Sequence, residues 1–204
     1  MNESPDYLSI PWRTKDRFLI EAEMVRRGGY IHNAGVKYGQ GKYYHFRAAM
    51  TALWPHFDWH EWSELLIQAF VENQEVGIMG PGSSGKTYNS AAFGLCSFYI
   101  WPKGTSIIMS STTREGLQLR IWGSIKELHN KAKERREWLP GRVIESRFIL
   151  TSSDEDAEAQ DFRDGIIGVA CKVGGTFVGL SNYVGLKNDR VMLIADEASL
   201  MGRG

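Results

Sequence analysis

Several things that define common protein classes are scarce in this sequence. Cysteine occurs twice in 204 residues, at Cys96 and Cys171. Each lies in an apolar context with no Cys or His at metal-ligand spacing, which excludes a disulfide scaffold and a zinc module. Both are expected to be buried thiols of a reducing compartment. No stretch reaches the roughly 18 apolar residues of a membrane span, and the opening MNESPDYLSIPWRTKD lacks the basic-then-apolar pattern of a secretory signal. A soluble, cytosolic chain is expected.

Net charge is also missing, because 24 Lys and Arg balance 24 Asp and Glu. A domain that binds nucleic acid through bulk electrostatics carries a clear basic excess, so any such contact here would be local. The charges do cluster. Residues 114–147 hold nine Lys or Arg against five Glu, and residues 154–164 hold six acids against one Arg; two solvated faces are the plain account of both. The five histidines are scattered, four of them before residue 61, without the spacing of a metal site. Structural or surface roles suit them.

What is present is ordinary globular composition: 43% hydrophobic and 12% aromatic residues. A chain of this length buries about 70% of its unfolded surface, enough for a core without staples. The texture changes near residue 74. Residues 1–74 are aromatic-rich and Gly-punctuated, and predict a small, mainly helical appendage with helices over 16–27, 45–53 and 60–71. Residues 28–41 between the first two predict irregular structure. Residues 75–204 alternate short apolar runs with helical stretches, the pattern of an α/β core. Strands are predicted at 76–79 (VGIM), 105–110 (TSIIMS), 143–150, 166–171 and 191–195 (VMLIA). The last is wholly apolar and is expected to be a central strand covered on both faces. A small-residue helix through Tyr99 and a helix over 114–136 lie between them.

Chemistry enters with Gly80-Pro81-Gly82-Ser83-Ser84-Gly85-Lys86-Thr87, a full match to G-x-x-x-x-G-K-[ST]. The glycines let successive backbone N–H groups converge on a polyphosphate, and the helix that follows presents its positive end. Lys86 would reach the β- and γ-phosphates, and the Thr87 hydroxyl would ligate Mg²⁺. The loop reads as a Walker A element, the signature of P-loop NTPases, with ATP the expected ligand.

Further on, Val191-Met192-Leu193-Ile194-Ala195-Asp196-Glu197 carries an apolar run into two adjacent carboxylates. Alone this is any buried strand entering a polar loop. Paired with the Gly-rich loop it reads as Walker B, with Asp196 holding Mg²⁺ and Glu197 activating the attacking water. Between the two lies Ser110-Ser111-Thr112-Thr113-Arg114, at a strand end where open α/β sheets bind ligands. Arg114 or Arg120 would serve as a cis arginine finger, against the alternative of a capped helix with surface arginines; Arg114 is the one chosen. Trp59, Trp62 or Gln68 could pack on adenine, although clustered tryptophans are more often packing groups. Residues 174–187 are Gly-rich without the G-K-[ST] ending and read as a turn, a mobile hairpin or a DNA-facing loop.

Together GPGSSGKT, STTREGLQLRIWG, GTFVGLSNYVGLK and VMLIADEAS resemble the ATPase domain of the large terminase subunit of tailed bacteriophages, over about residues 55–204. The resemblance implies a RecA-like P-loop fold of the additional-strand, catalytic-glutamate type, with a parallel sheet flanked by helices. It implies ATP hydrolysis coupled to double-stranded DNA translocation in the host-cell cytoplasm. Implied partners are a portal protein, a small terminase subunit and further copies in a ring. Two departures stand out. The span from Lys86 to Asp196 is 110 residues, which implies an insertion near 131–170, and the sequence given ends shortly after the second motif, so a core truncated there is expected. A superfamily 2 helicase fragment and a non-hydrolysing nucleotide-binding module are the alternatives.

Overall fold

The computed structural model describes residues 41–102, 104–135, 137, 139–145, 148–151, 163–170 and 188–196. The expected helix at 16–27, the acidic stretch 154–161, the Gly-rich stretch 174–187, Cys171 and Glu197 lie outside the described residues. The chain divides into two compact units. One comprises Met1–Ile100 with Leu128–Leu139, and the other Trp101–Glu127 with Pro140–Gly204.

In the first unit three helices pack on one another: α1 (Gly41–Leu53), α2 (Glu61–Glu72) and α3 (Lys86–Ile100). The α2 N-terminus is fixed by His60, whose Nδ1 accepts from the Ser63 amide at 3.2 Å and satisfies one of the helix's orphan donors. The small residues of α3 explain its burial. Ala91, Ala92, Leu95, Cys96, Phe98, Tyr99 and Ile100 are inaccessible or nearly so on all sides, as a helix with no polar face must be. Phe93 joins α1 and α2 to it, lying 5.3 Å from Phe46 and 4.9 Å from Phe70 between ring centres. Each fully buried side chain of this size contributes about 1.5–3 kcal/mol.

The second unit is a five-stranded sheet in the order β2-β3-β4-β1-β5. Its strands are β1 (Thr105–Ser111), β2 (Arg142–Ile144), β3 (Ile149–Thr151), β4 (Gly165–Ala170) and β5 (Arg190–Ala195). β1 pairs in parallel with β4 and with β5, and its side chains are all buried. Between β1 and β2 runs a helical segment built from α4 (Arg114–Gly116), a π-helical turn (Leu117–Ile121) and α5 (Trp122–Arg135). Leu117 of its π-helical turn lies against the face of β4 that carries Gly168. The opposite face of the sheet holds Ile108, Ile149, Ile167 and Val169, as strand alternation requires.

Four expectations need correction. The sheet is mixed rather than parallel, because β2–β3 and β3–β4 are antiparallel. The single strand expected at 143–150 is a hairpin, broken where the Phe148 amide bonds to the Glu145 carbonyl at 3.3 Å and Phe148 takes φ 51°. Residues 76–79 form no strand: strand structure depends on a ladder partner, and four residues interrupted by Gly77 have little intrinsic preference for it. Finally, among the described residues β5 lies at the edge of the sheet rather than at its centre, with Val191 46% and Leu193 58% exposed. A short apolar run does not reveal which neighbours it will have. Among the described residues, no helix is long and apolar enough to cross a membrane.

Candidate phosphate-binding site

The match to G-x-x-x-x-G-K-[ST] occupies an exposed loop that leads directly into α3, whose first residue is Lys86. Two of its residues have left-handed backbone, Ser83 at φ 59° and Gly85 at φ 76°. Left-handed residues interspersed in a turn bring successive N–H groups to one side, which makes an anion-binding concavity. Gly85 suits that conformation; Ser83 adopts it at a cost of roughly 1–2 kcal/mol. The loop is tied to the helix through the Gly85 carbonyl, which accepts from the Asn89 amide and from Asn89 Nδ2, each at 2.9 Å. A side chain at Gly82 would meet no atom within 4 Å, so the outer part of the loop is open to a ligand.

The Lys86 ammonium turns back onto the loop. It donates to the Gly80 carbonyl at 2.9 Å, the Pro81 carbonyl at 2.6 Å and Ser84 Oγ at 3.0 Å. All three of its N–H donors are therefore directed into the loop, and its charge sits where a polyphosphate would lie. Pro81 has no N–H to offer, but its carbonyl helps to set the lysine. The loop's backbone, its cation and the adjoining Thr87 fit a nucleotide triphosphate, and Thr87 would supply a hydroxyl to Mg²⁺.

Of the three adenine candidates, the structure places one beside this loop. The Trp62 ring edge comes within 3.7 Å of where a Gly80 side chain would begin. Trp59 is held elsewhere, 4.8 Å from the Phe57 ring and beneath the Arg47 guanidinium at 4.6 Å. Arg47 in turn donates to Glu64 at 2.6 Å. Gln68 is exposed and donates to Glu72, one helical turn along its own helix.

In the second unit, Asp196 follows β5 at the C-terminal edge of the sheet. Its amide donates to the Ser110 carbonyl at 2.8 Å, which extends the β1–β5 ladder by one bond and places the carboxylate-bearing residue beside the end of β1. At that end Ser110 and Ser111 are fully buried, and their hydroxyls find no hydrogen-bond partner among the described residues. Thr113 caps the following helix, its Oγ1 accepting from the Gly116 amide at 2.9 Å. Arg114 is exposed and its guanidinium lies 5.4 Å from the centre of the Phe148 ring. Arg120 is exposed on the π-helical turn. No three His, Cys, Asp or Glu gather into a metal cage among the described residues.

One polar pair has no counterpart among the expected site residues. Tyr99 Oη and His129 Nδ1 are 2.6 Å apart in the core of the first unit. Burial, with a smaller contribution from Lys133, lowers the His129 pKa to about 4; burial, and then Cys96, raises that of Tyr99. Helical phase gave a signal for it, since His129 follows Ile125 by four residues on the buried side of α5.

Compared with models of protein families, with curated proteins and with solved structures, the chain matches none.

Proposed function

We propose that the chain is an ATP-hydrolysing domain of the P-loop type, a motor of the kind that packages double-stranded DNA in tailed bacteriophages. The observation that carries this is the GPGSSGKT loop at the start of a buried helix, with the Lys86 ammonium directed into it. In this account the loop amides and Lys86 bind the β- and γ-phosphates. Thr87 would offer Mg²⁺ its hydroxyl and Asp196 its carboxylate, and the ion would supply charge neutralisation for the phosphate oxygens. Glu197 takes a proton from water as its oxygen attacks the γ-phosphorus; the bond to the bridging oxygen breaks, giving ADP and phosphate. Arg114 stabilises charge on the transferring group.

Double-stranded DNA, a portal protein, a small subunit and a ring of copies in the host-cell cytoplasm belong to the same proposal, through the resemblance of the motifs. Turnover of MgATP by the intact protein, with and without DNA, tests it. Glu197→Gln is expected to keep nucleotide binding and lose about 100-fold or more in turnover. Stimulation by duplex DNA over single strands supports the packaging motor, and the reverse preference supports the helicase alternative. Equal turnover by the unaltered protein and Glu197→Gln would show the catalytic assignment to be wrong.

A further inference from the structure

An indole nitrogen is a donor only, so a buried one needs an acceptor. In the first unit Trp54 has one, donating to the Leu128 carbonyl at 2.9 Å. The Trp62 nitrogen is also buried but meets no acceptor among the described residues. Trp59 shares that state, although its ring is taken up by Phe57 and by the Arg47 guanidinium above it. Trp62 turns instead toward the Gly-rich loop.

A side chain begun at Gly80 would lie 3.7 Å from Trp62 Cζ2, 3.7 Å from Ser84 Oγ and 3.8 Å from Lys86 Nζ. One position, which the glycine leaves open, is therefore shared by an indole edge, a hydroxyl and an ammonium. Cζ2 and the indole nitrogen are bonded to the same carbon, so the edge turned to Gly80 is the one that carries the N–H. That edge is the positive part of the aromatic ring, and it faces the same point as a cation. Two positive groups gathered about one point favour an anion there. Pro81 adds a second reason. It has no N–H, so the start of the loop is short of one donor, and the indole of Trp62 brings one from α2.

We infer that Trp62, a residue outside the motif, binds phosphate: its indole N–H donates to a phosphate oxygen seated over Gly80, beside the Lys86 ammonium. The inference rests on the proposed nucleotide reading of the loop and deepens it, because it assigns Trp62 to the phosphates rather than to adenine. Ser84 Oγ accepts from Lys86 at 3.0 Å and retains its own proton to donate to the same oxygen.

Titration calorimetry of the intact protein with MgATP and with magnesium tripolyphosphate, which carries phosphates and no base, tests this. Trp62→benzothienylalanine exchanges the N–H for a sulfur atom and keeps the shape of the ring. It is expected to weaken both ligands about tenfold, as loss of a hydrogen bond to a charged group does. Gly80→Ala puts a methyl group where the oxygen would sit, at ordinary contact distances from its neighbours, and is expected to weaken both as well. Trp59→benzothienylalanine is expected to leave both unchanged. Unaltered affinity for tripolyphosphate in either the Trp62 or the Gly80 variant would overturn the inference. So would an equal loss in the Trp59 variant, or a loss confined to MgATP in the Trp62 variant, which packing on adenine would produce. Equal affinity for both ligands in Lys86→Ala and the unaltered protein would instead overturn the nucleotide reading beneath it.

Discussion

The Lys86 ammonium donates to the Pro81 carbonyl at 2.6 Å, with the Gly80 carbonyl and Ser84 Oγ as its other partners. A lysine whose three donors all point into a Gly-rich loop supplies positive charge where nothing else in the loop does. It is also pre-ordered, so less side-chain entropy is lost when a phosphate replaces the loop carbonyls. The relationship accounts for the G-K pairing: Gly85, with φ 76°, turns the chain so that the next residue both opens α3 and reaches back.

Ser83 is the strained member of the same loop. Replacing it with Gly is expected to leave stability within about 1 kcal/mol, because relief of strain and the greater freedom of the unfolded chain offset one another. Ser83→Val is expected to cost about 1–2 kcal/mol, since a β-branched residue tolerates left-handed backbone still less. Urea denaturation of the two variants checks both, and an unaffected Ser83→Val would mean the left-handed turn is absent in solution.

Trp62 should report the ligand. Its ring edge lies 3.7 Å from the position a Gly80 side chain would take, so occupation of the loop should change its surroundings. MgATP is expected to alter the protein's tryptophan emission, and Trp62→Phe is expected to abolish most of that change. Trp59→Phe is expected to retain it, because Trp59 is covered by Arg47 and Phe57.

Stability should depend on pH through His129. Its folded pKa of about 4 lies below the ordinary value of 6.5, so between these values the unfolded chain binds a proton that the folded chain does not. The contribution is complete above pH 6.5 and is lost as pH falls toward 4, amounting to at most about 3 kcal/mol. His129→Gln is expected to be less stable at pH 7.5 and to show a flatter profile from pH 7 to 4.5. Tyr99→Phe is expected to cost about 1–3 kcal/mol by leaving His129 Nδ1 without its buried partner. Denaturation midpoints across this range provide the check.

The legibility of these features in the sequence followed how local they are. A Gly-rich turn and the helix it opens depend on neighbouring residues, so spacing alone placed a loop at 80–85 ahead of α3. The helices near 45–53 and 60–71 were visible from apolar phase, and Glu61–Glu72 differs from expectation by one residue at each end. Strands depend on partners far along the chain. The apolar run ending at Ala195 gave no sign that β5 would lie at an edge, and 76–79 looked as strand-like as 105–110. The β2–β3 hairpin was hidden because no Gly or Asn marks its left-handed residue, which is Phe148. The Arg114–Phe148 contact joins residues 34 apart in sequence, and no motif spans them.

The central claim is that Gly80 to Thr87 binds the phosphates of a nucleotide. Titration calorimetry of MgATP into the intact protein tests it most directly, beside the Lys86→Ala variant under the same conditions. Saturable binding at one site per chain is expected, weakened at least about tenfold when the lysine's charge is removed. Absence of binding, or equal affinity in the two proteins, would contradict it.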